Sequence, residues 1–244
     1  MSFGLSRGRS LDVAPGVVAL DAIEIPPLPD DVLTNPEAGW LNLSGLFRTP
    51  EFPLEIEIGS GKGTFLVQEA RARPTTNFLG IEWAKEFFAY AADRIRRQQV
   101  GNVRLLHADA VEFLRWRVPD ASVSVIHLYF SDPWPKTRHH KNRVVQDRFL
   151  ADAHRTLIPG GELRIVTDHD GYWAWMEEHF ARWCSPGTGE DHPLFARVAF
   201  APPVGAGVGE LVGTNFERKY AREGRPFHAT TLVKPLGLER GPAT

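Results

Sequence analysis

Cysteine is almost missing from this sequence. The single one, Cys184, cannot form a disulfide within the chain. One thiol also does not make a metal site, so we expect no bound metal. So little cysteine use is typical of a protein from a reducing compartment.

Long apolar runs are missing as well. The longest, at residues 124–130, is interrupted by His127 and is far shorter than the ~20 residues that a membrane-spanning helix needs. The first residues lack the hydrophobic core of a secretory signal peptide. We therefore expect a cytoplasmic protein without a membrane partner.

Neither sign of charge dominates. The 28 Lys and Arg residues nearly balance the 30 Asp and Glu residues, which gives a formal net charge of −2 at pH 7. This balance argues against a uniformly basic nucleic-acid-binding protein but permits a local basic patch. With 43% hydrophobic and 24% charged residues, the composition is globular and excludes a disordered chain.

A length of 244 residues predicts one large domain or a domain with an appendage. The first fifty residues carry prolines at positions 15, 26, 27, 29, 36 and 50, which break any long helical or strand periodicity. We expect residues 1–50 to form an N-terminal extension, partly extended or disordered. Residues 51–244 are expected to form the main domain.

From residue 54 onward, short apolar runs alternate with helical patterns. This alternation predicts an α/β fold with a doubly wound parallel sheet. Strands are predicted at 54–58, 77–82, 103–106, 123–129 and 162–167, helices at 64–72, 84–99, 110–116, 143–157 and 172–183, and weaker closing strands at 193–202 and 229–233. Ligands bind beyond the carboxyl ends of the strands in such sheets, so the chemistry should follow the strands.

A glycine-rich loop follows the first of these strands. Gly59, Gly61 and Gly63 allow the backbone to approach a ligand closely. Glu57, two residues before the loop, would repel a pyrophosphate but attract a cationic amine. The pattern therefore favours a ligand that carries an amino acid, such as S-adenosylmethionine, over NAD. A tight turn without a ligand remains the alternative.

Acidic residues end the next two strands. Glu82 lies 23 residues after Gly59, where a carboxylate can accept hydrogen bonds from ribose hydroxyls. Asp109 follows the third strand and can accept a hydrogen bond from an adenine amino group. Each could instead cap the helix that follows it. Three acids at three successive strand ends together favour a nucleoside cofactor.

A stiff aromatic loop and a basic segment follow the fourth strand. Pro133 and Pro135 flank Trp134 and hold the carboxylate of Asp132 beside an aromatic face, an arrangement suited to a flat heteroaromatic base. Residues 136–143 then contain four Lys or Arg, two His and no acid. Phosphate contacts are the natural use of such a cluster, whereas a solvated surface is the alternative.

The last polar clusters give a weaker signal. Asp168 ends the fifth strand, and a mixed polar segment begins at Thr214 after the glycine-rich loop at 205–213. Side chains of this segment could read base edges. The competing interpretation is a capped helix start, in which Thr214 and Glu217 form a capping box.

Six segments in order, EIGSGKG, GIEW, HADA, FSDPWPKTRHHK, TDHD and GTNFERKY, carry a resemblance. With these six segments the chain resembles the bacterial tRNA (guanine-N7-)-methyltransferase family, which methylates a guanine in the tRNA variable loop with S-adenosylmethionine. The resemblance covers about two thirds of the chain and implies a Rossmann-like class I methyltransferase fold. It leaves open whether the protein is a monomer or a homodimer.

The resemblance also implies roles for individual residues. Asp132 would be catalytic. The cofactor would bind to Glu57, Gly59, Gly61, Gly63, Glu82, Asp109 and Asp132; the substrate to Lys136, Asp168, Thr214, Asn215, Phe216 and Glu217; and RNA to Arg138, His139, His140, Lys141, Asn142 and Arg143. The chain departs from the usual family loop at Ser131, Thr137 and Asn142, and the cations lost at Thr137 and Asn142 would weaken phosphate binding.

Other functions compete with this one. A methyltransferase acting on a small molecule would explain the glycine loop and the acids but would leave the basic segment at 136–143 without a task. A non-catalytic RNA-binding module would make the acids dispensable. The glycine spacing and Glu57 disfavour an NAD-dependent dehydrogenase.

Overall fold

The computed structural model describes residues 10–13, 18–21, 24–186 and 193–236. Within them, eight strands form one sheet in the order β1-β4-β3-β2-β5-β6-β8-β7. The strands are β1 (Ala19–Asp21), β2 (Leu54–Ile58), β3 (Asn77–Glu82), β4 (Val103–His107), β5 (Val123–Tyr129), β6 (Leu157–Thr167), β7 (Ala196–Val198) and β8 (His228–Val233). The helices are α1 (Thr64–Ala72), α2 (Lys85–Arg97), α3 (Ala110–Arg117), α4 (Asp147–Thr156), α5 (Asp170–Trp183) and α6 (Asn215–Arg222).

The first six strands of the sheet pair in parallel, and β8 and β7 close it in antiparallel pairing. Every residue of β2 and β3 is buried, as expected for central strands with both faces covered. The core is divided between the two faces: α1 and α2 pack on one, and α3, α4 and α5 pack on the other. The predicted α/β fold with a doubly wound parallel sheet is confirmed.

Several predicted boundaries were wrong. The helix predicted from 143 begins at Asp147, because residues Thr137–Asn142 form a 3-10 helix and Arg143 is extended. β6 begins at Leu157 rather than 162, and continues through the bend at Gly160, whose φ is +79°. The closing strand predicted at 193–202 shrinks to Ala196–Val198.

The N-terminal segment adds to the sheet. β1 pairs in parallel with β4 at the edge, two 3-10 helices follow at Pro36–Gly39 and Ser44–Leu46, and Leu43 and Phe47 are buried in the core. The parts of the predicted extension at 1–9, 14–17 and 22–23 lie outside the described residues.

No helix within the described ranges is both long enough and apolar enough to cross a bilayer.

Candidate active site

A cavity of about 430 Å³ opens at the carboxyl ends of β2 and β5. The glycine loop forms one side, the start of α6 forms another, and aromatic side chains line the space between them. Its lining comprises Glu57, Gly59, Ser60, Gly61, Lys62, Thr64, Phe65, Phe87, Tyr129, Phe130, Thr214, Asn215, Phe216 and Lys219. An apolar cavity with a few convergent polar groups is the usual form of a small-molecule site.

The glycine loop requires its glycines. Gly59, Gly61 and Gly63 have φ values of +74°, +52° and +66°, a left-handed region that side chains disfavour. A Cβ at Gly63 would also lie 3.1 Å from the Cβ of Ala91. Glu82 steadies the loop, because its Oε2 accepts a 2.7 Å hydrogen bond from the Gly61 N–H.

Glu57 is the most unusual group of the cavity. It is only 4% exposed, and its Oε2 has no hydrogen-bond partner among the described residues. The Oγ of Ser60 beside it is likewise buried and unpartnered there. Burial, with a smaller contribution from Glu82, raises the pKa of the Glu57 carboxyl well above its usual value. An unsatisfied buried carboxyl is costly unless a donor or cation completes it.

The other two strand-end acids are bound to the backbone. Glu82 accepts from the Ala84 N–H at 2.7 Å as well as from Gly61. Asp109 caps α3 by accepting from the N–H groups of Val111 and Glu112. Helix capping was the alternative for Asp109. Each carboxylate nevertheless keeps lone pairs that could accept further hydrogen bonds.

A second cavity, also of about 430 Å³, lies between α3 and the segment after β5. Asp109 and Trp134 border it, together with the end of the basic segment and Arg148 of α4. Asp109 and Trp134 thus border the same cavity, although 25 positions separate them in the sequence.

Asp132 lies on the loop that leaves β5. Its side chain is exposed and makes no hydrogen bond or ion pair with the part of the chain that the structure describes. Phe130, two residues earlier, lines the first cavity. Phe130 and Trp134 have φ values of +54° and +42°, a conformation that costs ~1–3 kcal/mol for such residues and is concentrated at functional sites.

The basic segment is only partly available to a ligand. Lys136, Arg138, Lys141 and Asn142 are exposed. His139 and His140 are half-buried, with ring contacts to Trp134 at 5.8 Å and to Trp175 at 5.6 Å.

Arg143 does not share that surface. It is 4% exposed, and its Nε donates to the carbonyl oxygen of Pro133 at 2.8 Å. A direct phosphate contact by Arg143 is therefore not supported. Burial lowers the pKa of its guanidinium, against a smaller opposing effect of Tyr172.

The segment at 214–217 divides into two roles. Asn215 and Phe216 are exposed at the mouth of the first cavity. Thr214 caps α6, because its Oγ1 accepts from the Glu217 N–H at 3.1 Å. Glu217 is buried, and its carboxylate accepts from the N–H groups of Leu211, Val212 and Gly213.

The interpretation of Glu217 as a direct substrate ligand is thus not supported, because its oxygens already hold the glycine-rich loop. Asp168 is also paired: its Oδ2 lies 2.7 Å from an Arg225 amino group. Arg225 in turn stacks on Tyr220 at 4.1 Å.

Comparison with known proteins decides the family. Residues 51–192 match the family model described as "Putative methyltransferase". A Halorhodospira halophila protein named tRNA (guanine-N(7)-)-methyltransferase is 34% identical over 199 residues, or 79% of each chain. An Agrobacterium fabrum protein of the same name is 30% identical over 233 residues, covering 93% of this chain and 90% of that one.

The chain belongs to the tRNA (guanine-N(7)-)-methyltransferase family. A third member, from Nitrobacter hamburgensis, is 47% identical over 142 residues. That match covers 58% of this chain and about half of the relative, 54%.

The fold is shared more widely than the family. The crystal structure of the 16S rRNA methyltransferase KamB aligns with a TM-score of 0.51 at 12% identity, covering 86% of this chain and 95% of that one. At this identity the likeness shows the fold alone, a Rossmann-like class I methyltransferase fold.

In this family member, sequence reasoning missed several cavity residues. Phe65, Phe87 and Tyr129 line the first cavity but look like core residues in the sequence. The position of Tyr129 at the end of a predicted strand was the one available signal.

Sequence reasoning also missed a buried polar chain beneath the cavity. The Nε2 of His127 lies 2.9 Å from Glu55, and its Nδ1 lies 2.8 Å from the Tyr129 hydroxyl. Arg73 forms two hydrogen bonds with the Glu55 carboxylate. Burial alone would raise the pKa of Glu55, but the bonds to His127 and Arg73 outweigh it and lower the pKa to about 2. This chain fixes Tyr129 in the cavity wall.

Proposed function

We propose that this protein transfers a methyl group from S-adenosylmethionine to N7 of a guanine in the variable loop of tRNA. The observation that carries the cofactor assignment is the unpartnered Oε2 of Glu57 beside the left-handed glycine loop. The residues fit S-adenosylmethionine, because its ammonium group supplies the missing cation and its ribose can donate hydrogen bonds to Glu82. When bound, the cofactor supplies an electrophilic methyl group.

The protein's main task is then alignment. Guanine N7 carries an exposed lone pair, so no strong base is needed at the nucleophile. The aromatic walls of the first cavity exclude water, and the exposed Asn215 and Phe216 can contact the base at its mouth. Holding two reactants in line supplies a large part of a transfer barrier.

Asp132 supplies a negative charge that stabilises the guanine during methyl transfer. The guanine becomes cationic as it accepts the methyl group, and a carboxylate that hydrogen-bonds to its N1 and amino edge stabilises the developing charge. The carboxylate of Asp132, which is exposed and has no partner among the described residues, suits this role. Lys136, Arg138 and Lys141 on the adjacent segment are exposed and suit phosphate contacts.

The test measures methyl incorporation from labelled S-adenosylmethionine into unmodified bulk tRNA and into free guanosine. We expect incorporation into tRNA only, located at a variable-loop guanine as 7-methylguanosine. Transfer to free guanosine at equal efficiency would indicate a small-molecule methyltransferase. Binding of tRNA without incorporation would indicate a non-catalytic RNA-binding module.

A further inference from the structure

Arg143 closes the loop that follows β5. Its Nε bonds to the carbonyl oxygen of Pro133, ten residues earlier, so the two ends of the segment are tied directly to each other. Lys136 lies between these two ends, and Asp132 immediately precedes Pro133. Both functional side chains proposed for this loop therefore depend on one guanidinium.

The other face of the guanidinium is held by α5. Its central carbon lies 5.2 Å from the centre of the Tyr172 ring and 5.3 Å from that of Trp175. Both rings also bind the chain just after Arg143: the Val145 N–H donates to the Tyr172 hydroxyl at 3.1 Å, and the Trp175 indole N–H donates to the Val145 carbonyl at 2.7 Å. α5 thus forms a fixed floor under the end of the loop.

A charge-only account of Arg143 conflicts with this geometry. Although Arg143 borders the second cavity, it is only 4% exposed, whereas the neighbouring Lys141 is exposed. A planar guanidinium can stack on rings and donate from its edge at once, which a lysine ammonium cannot do.

We propose that Arg143 is a positioning residue: it clamps the loop against α5 so that Asp132 meets the target base and Lys136 meets the tRNA backbone, and Arg143 itself makes no phosphate contact. The catalytic part of this inference rests on the proposed function. The structural part, the clamp itself, does not.

The test compares Arg143→Lys with Lys141→Ala and with Arg48→Lys, a matched substitution at an exposed arginine of the N-terminal segment. A misplaced reacting group can cost ~10²-fold in rate, so Arg143→Lys should lower kcat at least ~10-fold. Arg143→Met removes the charge as well, and the slope of log Kd for tRNA against log salt should stay at the wild-type value in this variant. Lys141→Ala should reduce that slope by ~0.7–0.9, as loss of one phosphate contact does. Arg48→Lys should match wild type.

Hydrogen exchange of the backbone amides at 136–143 tests the clamp without any activity. These amides should exchange faster in Arg143→Lys than in wild type, while the thermal midpoint and S-adenosylmethionine affinity show that the variant is folded. A wild-type kcat, or exchange at the wild-type rate, would overturn the proposal, as would a salt slope for Arg143→Met reduced as much as that for Lys141→Ala. Wild-type protein that fails to methylate tRNA contradicts the proposed function, and the exchange result then decides the clamp alone.

Discussion

A single carboxyl, that of Glu57, links cofactor binding to pH. Its raised pKa means that a buried neutral acid is favoured until a cation arrives, whereupon the carboxylate is stabilised and a proton is released. Affinity for S-adenosylmethionine should therefore rise with pH up to the raised pKa. Calorimetry in buffers of different ionisation enthalpy should detect the released proton.

The same carboxyl makes the folding stability of the cofactor-free protein fall as pH rises. A carboxyl whose folded pKa is raised stabilises the fold below its unfolded value and loses that contribution as pH rises through the folded pKa. Glu57→Gln should thus raise the thermal midpoint of the free protein at pH 7 while weakening cofactor binding. A variant with lower stability at pH 7 and unchanged affinity would contradict this account.

Asp132→Asn separates binding from turnover. Because the Asp132 side chain is exposed, has no partner in the described chain and does not line the first cavity, the change should leave the fold and the cofactor affinity intact, although the resemblance also places Asp132 at the cofactor. Loss of one group that stabilises the transition state should lower kcat ~10²-fold or more. Single-turnover methylation of tRNA with labelled cofactor measures this, and equal turnover in the two proteins would refute the role.

The exposed cations of the basic segment at 136–143 are expected to act together in tRNA binding. Lys136, Arg138 and Lys141 are its exposed cations, so replacing all three by Ala should raise KM for tRNA and flatten its salt dependence. Cofactor affinity should change little, because none of the three lines the first cavity. Filter binding over a salt series provides the measurement. A parallel fall in cofactor affinity would indicate that the segment supports the fold instead.

At the element scale, sequence patterns predicted most strands and the glycine loop, because parallel strands buried on both faces read as apolar runs. They could not show that Arg143 is buried whereas Lys141 is exposed, because the burial of Arg143 depends on contacts with Tyr172 and Trp175, some thirty residues away. The role of Glu217 is equally hard to predict, because in the sequence a carboxylate that binds loop N–H groups looks like one that binds a base. Phe130 and Trp134 also adopt left-handed backbone conformations. A glycine would have signalled such a conformation in the sequence, but neither position has one.

Across the whole molecule, positive charge is a local feature, because the chain has no overall excess of cations. The net charge is −2, yet three exposed cations, Lys136, Arg138 and Lys141, lie on the loop after β5. The proposed recognition of tRNA should therefore depend mainly on short-range contacts, which salt screens. The edge strand β1 extends the same sheet from the N-terminal segment, so segment and domain share one core.

The buried chain that joins α1, β2 and β5 should control the stability of the whole domain. Glu55, with a pKa of about 2, contributes stability that is present above its unfolded value of about 4.5 and is lost as pH falls through about 2. Glu55→Gln leaves His127 without its carboxylate and leaves Arg73 with only the longer ion pair to Glu69 at 3.6 Å, and breaking a buried pair costs ~3–5 kcal/mol.

Urea unfolding at several pH values tests this, with Glu162→Gln as the control because Glu162 forms a partly exposed pair with Arg164 worth at most ~1 kcal/mol. The stability difference between Glu55→Gln and wild type should be largest at pH 7 and shrink below about pH 4.5 as Glu55 becomes protonated in the unfolded chain. If the two substitutions cost the same at pH 7, the chain of Arg73, Glu55, His127 and Tyr129 does not stabilise the domain.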